Sequence, residues 1–176
     1  MTIYLDWRNT YRTRRAGSTF FYTLRVCTRA VNLRNRLSTQ MDALYAANVR
    51  GPYLLTKELL PLLKRPRGQI AFINSSAGLS ARLGAGQFSA SQHAFKALAD
   101  GLRHEVNADQ VRVLSVYPGR TATARIKTVF LEEGRPYQPE LLLQPEDVAS
   151  VVCNAVTLPW TAEVTDIMIR PMQKSY

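Results

Sequence analysis

The chain has 176 residues, 46% of them hydrophobic, and a formal net charge of +10, enough for one sizeable core and, as the expectation, one domain. No apolar run approaches the ~18 residues of a membrane span. Cys27 and Cys153 stand far apart with no Cys-x-x-Cys or His-rich neighbourhood, which gives no sign of a disulfide framework or a metal site and fits a soluble protein of the reducing cytoplasm.

The charge is lopsided. Residues 1–40 carry eight Arg against one acid, Asp6, a net of +7, leaving +3 for the remainder. Residues 1–37 show no sustained period, with Tyr4, Trp7, Tyr11, Phe20, Phe21 and Tyr22 interleaved with Arg8, Arg12, Arg14, Arg15 and Arg25. This segment is expected to lack a fold of its own, and residues 38–176 to form the folded domain. From about Ser38 the pattern changes. Met41, Leu44, Tyr45, Asn48, Leu54, Leu55, Leu59 and Leu62 recur at helical spacing, predicting a long helix over 40–64, with Pro52 removing one backbone donor and bending it. Gln69 to Ser75 then reads as a strand buried on both faces.

Gly78 to Gly86 reads as a loop. A helix is expected over 87–108, with Phe88, Ala94, Phe95, Leu98 and Leu102 as its apolar stripe. Val111 to Tyr117 is the next strand, stopped by Pro118-Gly119. Residues 120–143 read as irregular, broken by Gly134, Pro136 and Pro139. Pro145 suits the first turn of a helix over 145–158, and 165–170 closes as a strand. Helix, strand, helix, strand, helix, strand calls for parallel strands joined by right-handed crossovers, an α/β fold. No internal repeat or low-complexity tract is present.

The most informative stretch runs from Ile73 to Lys96: Ile-Asn-Ser-Ser-Ala-Gly-Leu, nine residues, then Ser-Ala-Ser-Gln-His-Ala-Phe-Lys. Before it stands Ala-Ala-Asn-Val-Arg-Gly-Pro around Asn48, and after it Pro118-Gly119-Arg120-Thr121-Ala122-Thr123. Singly, each has a plain structural reading: Ser75 as a polar strand end, Asn48 as a hydrogen-bonder at a helix kink, Pro118-Gly119 as a turn. Together and in this order, they resemble the short-chain dehydrogenase/reductase family from about Ser38 to the C-terminus.

That resemblance implies a partial Rossmann-type, doubly wound parallel sheet and descent from an NAD(P)-dependent oxidoreductase of carbonyls or secondary alcohols. It places Ser75 at the family's oxygen-binding Ser and Asn48 at the Asn that anchors a water relay. Pro118, Gly119, Thr121 and Thr123 fall in the Pro-Gly-x-x-x-Thr element that holds the nicotinamide. The family's Tyr-x-x-x-Lys reads Phe88-Ser-Ala-Ser-Gln92 here. Phe88 keeps the ring without the hydroxyl, and Gln92 can hydrogen-bond but has no charge to lower a neighbour's pKa. Lys96, one turn on, is read as a surface residue rather than a displaced catalytic Lys, and His93 and His104 as surface or packing histidines.

The Thr-Gly-x-x-x-Gly-x-Gly loop that cradles dinucleotide phosphates at a helix N-terminus is not found: the only glycine before Gly51 is Gly17. The chain by itself is therefore expected to be a catalytically silent pseudoenzyme, a truncated member that binds NAD(P) poorly. The strand 69–75 is expected to have lost a neighbour, leaving an apolar edge open. Residues 1–37 read in three ways: the by-product of a truncated or frameshifted gene, which the abrupt join near residue 38 favours; an organellar presequence; or a basic arm touching nucleic acid. The alternative function is an interaction module, because in the family the helices matching 40–64 and 87–108 form the subunit interface; its partners would be a second copy or complete family members.

Overall fold

The computed structural model describes residues 2–4, 12–14, 19–22, 38–65 and 67–173. Three short strands open it: β1 (Thr2–Tyr4), β2 (Arg12–Arg14) and β3 (Thr19–Tyr22). Helix α1 (Ser38–Tyr45) runs through a π-turn, Ala46–Arg50, into α2 (Gly51–Lys64), and β4 (Gln69–Ile73) follows. A 3-10 turn at Ser76–Gly78 leads to α3 (Gly86–Val106) and β5 (Arg112–Pro118). Helix α4 (Ala124–Glu132), a short 3-10 turn at Pro139–Leu141, α5 (Pro145–Val156) and β6 (Asp166–Ile169) complete the order.

The six strands form one sheet in the order β2-β1-β3-β4-β5-β6. The three strands expected from sequence are parallel neighbours: Gln69–Ile73 pairs with Arg112–Val116, and Ser115–Pro118 with Asp166–Ile169. The edge expected to be open is occupied, because Thr19–Tyr22 pairs in parallel with Gln69–Phe72. Part of the segment expected to lack a fold thus supplies backbone partners to the sheet. The rest of 1–37, including Cys27 and Gly17, lies outside the described residues.

Burial is nearly continuous along β4 and β5, as a sheet covered on both faces requires, with successive side chains pointing to opposite faces. Ile70, Phe72, Val111 and Val113 pack on one face against Leu63 of α2 and Phe95, Ala99 and Val106 of α3. Phe72 and Phe95 meet edge to face, ring centres 5.1 Å apart, worth ~0.5–1.5 kcal/mol beyond the area they bury. On the other face, Ala71, Leu114 and Val116 pack against Val152 of α5. Helices on both faces of a parallel sheet make a doubly wound layer.

Three departures from the expected elements have local causes. The bend at Pro52 is a π-turn: with no N–H, Pro52 cannot bond the Asn48 carbonyl one turn back, and the Gly51 N–H reaches Ala46 O instead. Strand β4 stops at Ile73, short of Ser75, because Asn74 Oδ1 accepts from Ser75 N at 2.7 Å and turns the chain. Within 120–143, where no element was expected, Thr123 caps α4 by accepting from Ile126 N at 3.3 Å; the breakers Gly134, Pro136 and Pro139 only limit its end. Helix α5 begins as expected, with Pro145 in its first turn and Gln144 N donating to Asp147 Oδ2 at 2.8 Å. Leu98, expected in the apolar stripe of α3, is 38% exposed, while Ser89, Ser91 and Gln92 are buried.

Polar groups tie the layers at the amino edge of β5. Arg112 stacks on Trp160 at 4.1 Å and donates to Leu158 O and Pro159 O, and Glu163 Oε1 accepts from Val113 N at 2.8 Å. Arg112, Trp160 and Glu163 line a cavity of about 220 Å³, away from the edge where β4 and β5 end. Arg103 of α3 donates to Val113 O at 2.9 Å, Thr165 O at 2.9 Å and Asp100 Oδ1 at 3.1 Å, joining α3, β5 and the approach to β6.

Tyr117 is 1% exposed, and its phenol oxygen has no aligned partner among the described residues. Burial outweighs the opposing effect of the Ser115 hydroxyl and, with a smaller contribution from Asp166, pushes the phenol up to about 12. Because the folded value lies above the ordinary ~10, this contribution is fully present below pH 10 and is lost as the pH rises toward 12. Thermal unfolding followed between pH 9 and 12 should show Tyr117→Phe losing less stability than the parent chain, by about 2 kcal/mol across that window.

Candidate active site

The two central strands end side by side at one edge of the sheet, where side chains of an α/β fold emerge into a crevice. At the end of β4, Asn74 works in two directions. Its Oδ1 accepts from Ser75 N, and its Nδ2 donates to the Gln92 carbonyl on α3 at 3.2 Å. Ser75, in extended backbone, caps the 3-10 turn by accepting from Ala77 N at 3.2 Å. The turn is held close to α3: a Cβ on Gly78 would lie 2.9 Å from Asn74 Oδ1 and 3.0 Å from Gln92 O.

Asn48 reaches the same place from the π-turn. It is 1% exposed, and its Nδ2 donates to Ser91 Oγ at 2.9 Å, which in turn donates to the Phe88 carbonyl at 2.8 Å. Asn48 Oδ1 has no partner among the described residues. The Phe88 ring packs against Leu44 of α1 and Ala77 of the capped turn. Gln92, one turn along α3, is 2% exposed.

From β5, Gly119 N donates to Ile169 O at 2.8 Å, and a Cβ there would come within 3.0 Å of Pro171, so this glycine permits the close approach of β5 to the end of β6. Thr121 donates its hydroxyl to Gly119 O at 3.2 Å, and Thr123 caps α4. Two residues further on, the Arg125 guanidinium stands over the Phe88 ring at 5.4 Å.

The structure therefore gathers Asn48, Ser75, Phe88, Gln92 and the segment from Pro118 to Thr123 around one edge of the sheet. Lys96 does not join them: its Nζ is 2.5 Å from Asp100 Oδ2, one turn further along α3. Asp100 is partly buried, but Lys96 and Arg103 outweigh that and hold its carboxyl below the usual carboxylate range. His93 gives its Nδ1 proton to Ser89 O at 2.8 Å, and both His93 and His104 are exposed. Among the described residues no group of three His, Cys, Asp or Glu is arranged to hold a metal, and no helix is long and apolar enough to cross a membrane.

The sequence profile of the short chain dehydrogenase family matches residues 26–134, more than half of the chain. The chain belongs to the short-chain dehydrogenase family. The match begins before Ser38, where the motif resemblance starts. An uncharacterised short-chain type dehydrogenase/reductase of Sinorhizobium fredii is 28% identical over 148 residues, 82% of this chain and 60% of that protein. The NADP-dependent 3-hydroxy acid dehydrogenase of Salmonella typhi is 26% identical over 141 residues, 77% of this chain and 57% of that one. Serine dehydrogenase from Escherichia coli superposes with a TM-score of 0.75 at 20% identity, covering 90% of this chain and 66% of its own. A short-chain dehydrogenase of Shigella flexneri in complex with NADP superposes with a TM-score of 0.77 at 22% identity, covering 86% of this chain and 62% of its own. The chain thus spans about 60% of the length of the curated relatives it matches.

Three residues of this candidate site in the short-chain dehydrogenase chain were not singled out in the sequence. Asn74 and Ser91 sit inside the quoted motifs, one residue before Ser75 and three after Phe88, so a closer reading of spacing would have found them. Arg125 carries no local signal, because its approach to Phe88 depends on where α4 packs. The tight contact at Gly78 gives a direct test of the arrangement. Gly78→Ala should lower stability by about 1–3 kcal/mol in denaturant unfolding, while Gly101→Ala, at a helical glycine with nothing within 4 Å, should leave it unchanged or raise it by about 1 kcal/mol.

Proposed function

We propose that this chain is a silent member of its family: it keeps the frame of a carbonyl-reducing site and lacks the groups that move the proton. The observation that carries this reading is Phe88, whose ring sits against Ala77, beside the turn capped by Ser75, and under Arg125. A ring at that place with no hydroxyl has no proton to give to a substrate oxygen, and the neighbouring Gln92 has no charge with which to tune one. Ser75 and Asn48 would be the remaining members of the family's constellation, Ser75 as a donor to a substrate oxygen.

A nicotinamide dinucleotide is the cofactor that the family implies, and when bound it supplies the hydride. Pro118, Gly119, Thr121 and Thr123 would stand beside the nicotinamide. In this chain, however, Thr121 gives its hydroxyl proton to Gly119 O, and Thr123 accepts from Ile126 N, so each hydroxyl already has a structural partner. With no Gly-rich phosphate loop read in the sequence, binding of NAD(P) by this chain is expected to be weak. Loss of a positioned acid alone removes ~10²–10⁴ in rate.

Incubation with NADH or NADPH and a panel of aldehydes and diketones should give no turnover above the enzyme-free rate, and fluorescence titration should show no micromolar nucleotide binding. Phe88→Tyr with Gln92→Lys should stay inactive here and become active in a chimera carrying a Gly-rich phosphate loop. Turnover by the unmodified chain that Ser75→Ala abolishes would overturn the reading.

A second reading, from a different class, is an interaction module that pairs through α2 and α3 with a second copy or with complete family members. Large apolar side chains on these helices support it: Tyr53 is 52% exposed, Leu54 40%, Leu62 49% and Leu98 38%. On this reading, light scattering should give a dimer or larger assembly that Leu54→Glu with Leu98→Glu converts to monomer. A parent chain that is monomeric at high concentration and forms no mixed oligomer with a full-length relative would exclude it.

A further inference from the structure

Three connections meet at the amino edge of the sheet, the edge opposite the crevice around Phe88. The turn after α2 leads through Arg67 into β4, the turn after α3 through Gln110 into β5, and the loop after α5 through Trp160 and Glu163 into β6. They border the cavity of about 220 Å³, which Arg67, Asn107, Gln110, Arg112, Trp160 and Glu163 line. Because β5 lies between β4 and β6, Arg67 stands on one side of Arg112 and Glu163 on the other. At a strand spacing of ~4.8 Å, the site is about 10 Å across.

Its walls are fixed from behind. Arg112 is 8% exposed, donates from its two Nη atoms to Leu158 O and Pro159 O, and lies 4.1 Å from the centre of the Trp160 ring. The indole is thereby held as a flat wall, and it is still 49% exposed. Glu163 Oε1 accepts from Val113 N at 2.8 Å, which orients the carboxylate, while Oε2 has no partner among the described residues. Arg67 forms no ion pair among the described residues, and the side-chain amides of Asn107 and Gln110 have no partner there either. With Arg67 and Arg112 against Glu163, the lining carries an excess of positive charge.

The backbone is shaped to present these side chains. Arg67, with φ 55°, and Gln110, with φ 57°, are the non-glycine residues of positive φ among the described residues, and both line this cavity. Each turns the chain out of a helix: Gly68 N donates to Leu63 O at 2.8 Å, and Val111 N to Val106 O at 3.3 Å. Glycine takes that position most readily. A long polar side chain is therefore kept at both turns against a conformational cost.

We propose that this cavity is a binding site for a single-ring aromatic carboxylate with a hydrogen-bond donor at the far end of the ring. Arg67 pairs with the carboxylate, the exposed part of the Trp160 indole stacks on the ring, and Glu163 Oε2 accepts from the donor. The size fits, since a cavity of ~150 Å³ holds benzene and about 220 Å³ takes one substituted ring but no dinucleotide. A bare phosphate would leave the flat wall unused and set a second anion beside Glu163. The site shares no residue with the Phe88 crevice, so it stands or falls apart from the reading of that crevice.

Titration of para-aminobenzoate into the isotope-labelled chain, followed by amide chemical shifts, tests this. It should move the amides of Asn107 to Arg112 and of Thr161 to Glu163, with a Kd of about 1 mM or below, and leave those of Asn74 to Gly78 and of Gly119 to Thr123 in place. Arg67→Gln should weaken binding about tenfold or more, the loss of one charge-assisted pair. Glu163→Gln should remove the preference for para-aminobenzoate over benzoate, because an amide NH2 cannot accept from the ring amine. Cyclohexanecarboxylate, which cannot stack, should bind about threefold or more weakly than benzoate. Dispersed β5 amides in each variant show that it folds. No shift at about 10 mM ligand, shifts confined to Asn74–Gly78, or a folded Arg67→Gln chain that binds as the parent does would overturn the proposal. Binding of cyclohexanecarboxylate or inorganic phosphate as tight as that of para-aminobenzoate would overturn it as well.

Discussion

Two adjacent strands, Gln69–Ile73 and Arg112–Pro118, have to be covered on both faces, and the remaining architecture follows from that. Ile70 and Phe72 send their side chains to α2 and α3, and Ala71 and Leu114 to the side of α5. Backbone groups in so dry a layer must be paired within the sheet. Hence β4 has Thr19–Tyr22 on one side and β5 on the other. The same constraint gives the site its place. Where the strands run out, polar side chains take over the pairing from the backbone, and Asn74, Ser75 and Gly119 stand at that boundary.

The hydrogen bonds around Phe88 would hold the frame whether or not the chemistry is present. Asn48 holds Ser91, Ser91 holds the Phe88 carbonyl, and Asn74 holds the Gln92 carbonyl. Two of these three links end on backbone carbonyls of α3, and none uses the Phe88 ring or the Gln92 side chain. Replacing a phenol by a phenyl ring at that position therefore leaves the scaffold's bonds in place, and the ring's face gains the guanidinium of Arg125. On the proposed reading, a missing hydroxyl would cost only a proton transfer, which the packing does not sense.

Electrostatics in this chain is used mainly to join elements. Arg112 is tied to the carbonyls after α5, Arg103 bridges α3 to β5 and the start of β6, and Arg120 crosses from the sheet edge to the far end of α4. Each guanidinium is planar and rich in donors, and two of them, Arg112 and Arg120, also lie against aromatic faces, a combination for which Lys is a poor substitute. Part of the large positive charge is thus structural. The net of +7 carried by residues 1–37 is a separate matter, confined to a segment of which only three short strands are described.

By itself the sequence determined the family, the α/β class, the three main strands and the helices near 40–64, 87–108 and 145–158, because these depend on local periodicity and on motifs whose residues are near neighbours in the chain. It also located the bend at Pro52, since a missing N–H acts within one turn. Only the tertiary structure decided the rest. Thr19–Tyr22 pairs with β4 through backbone groups, which carry no side-chain signature, so four residues within a segment of interleaved Arg and aromatic residues could not announce a strand. Helix α4 buries a single large ring, Phe130, and the breakers around it hid a pattern too short to stand out. Leu98 faces outward while Ser91 and Gln92 face inward, because the inner side of α3 there meets Asn48 and Asn74 instead of an apolar wall. The approach of Arg125 to Phe88 and of Arg120 to Glu133 likewise depends on where the chain returns after Leu143, a long-range closure that no local spacing encodes.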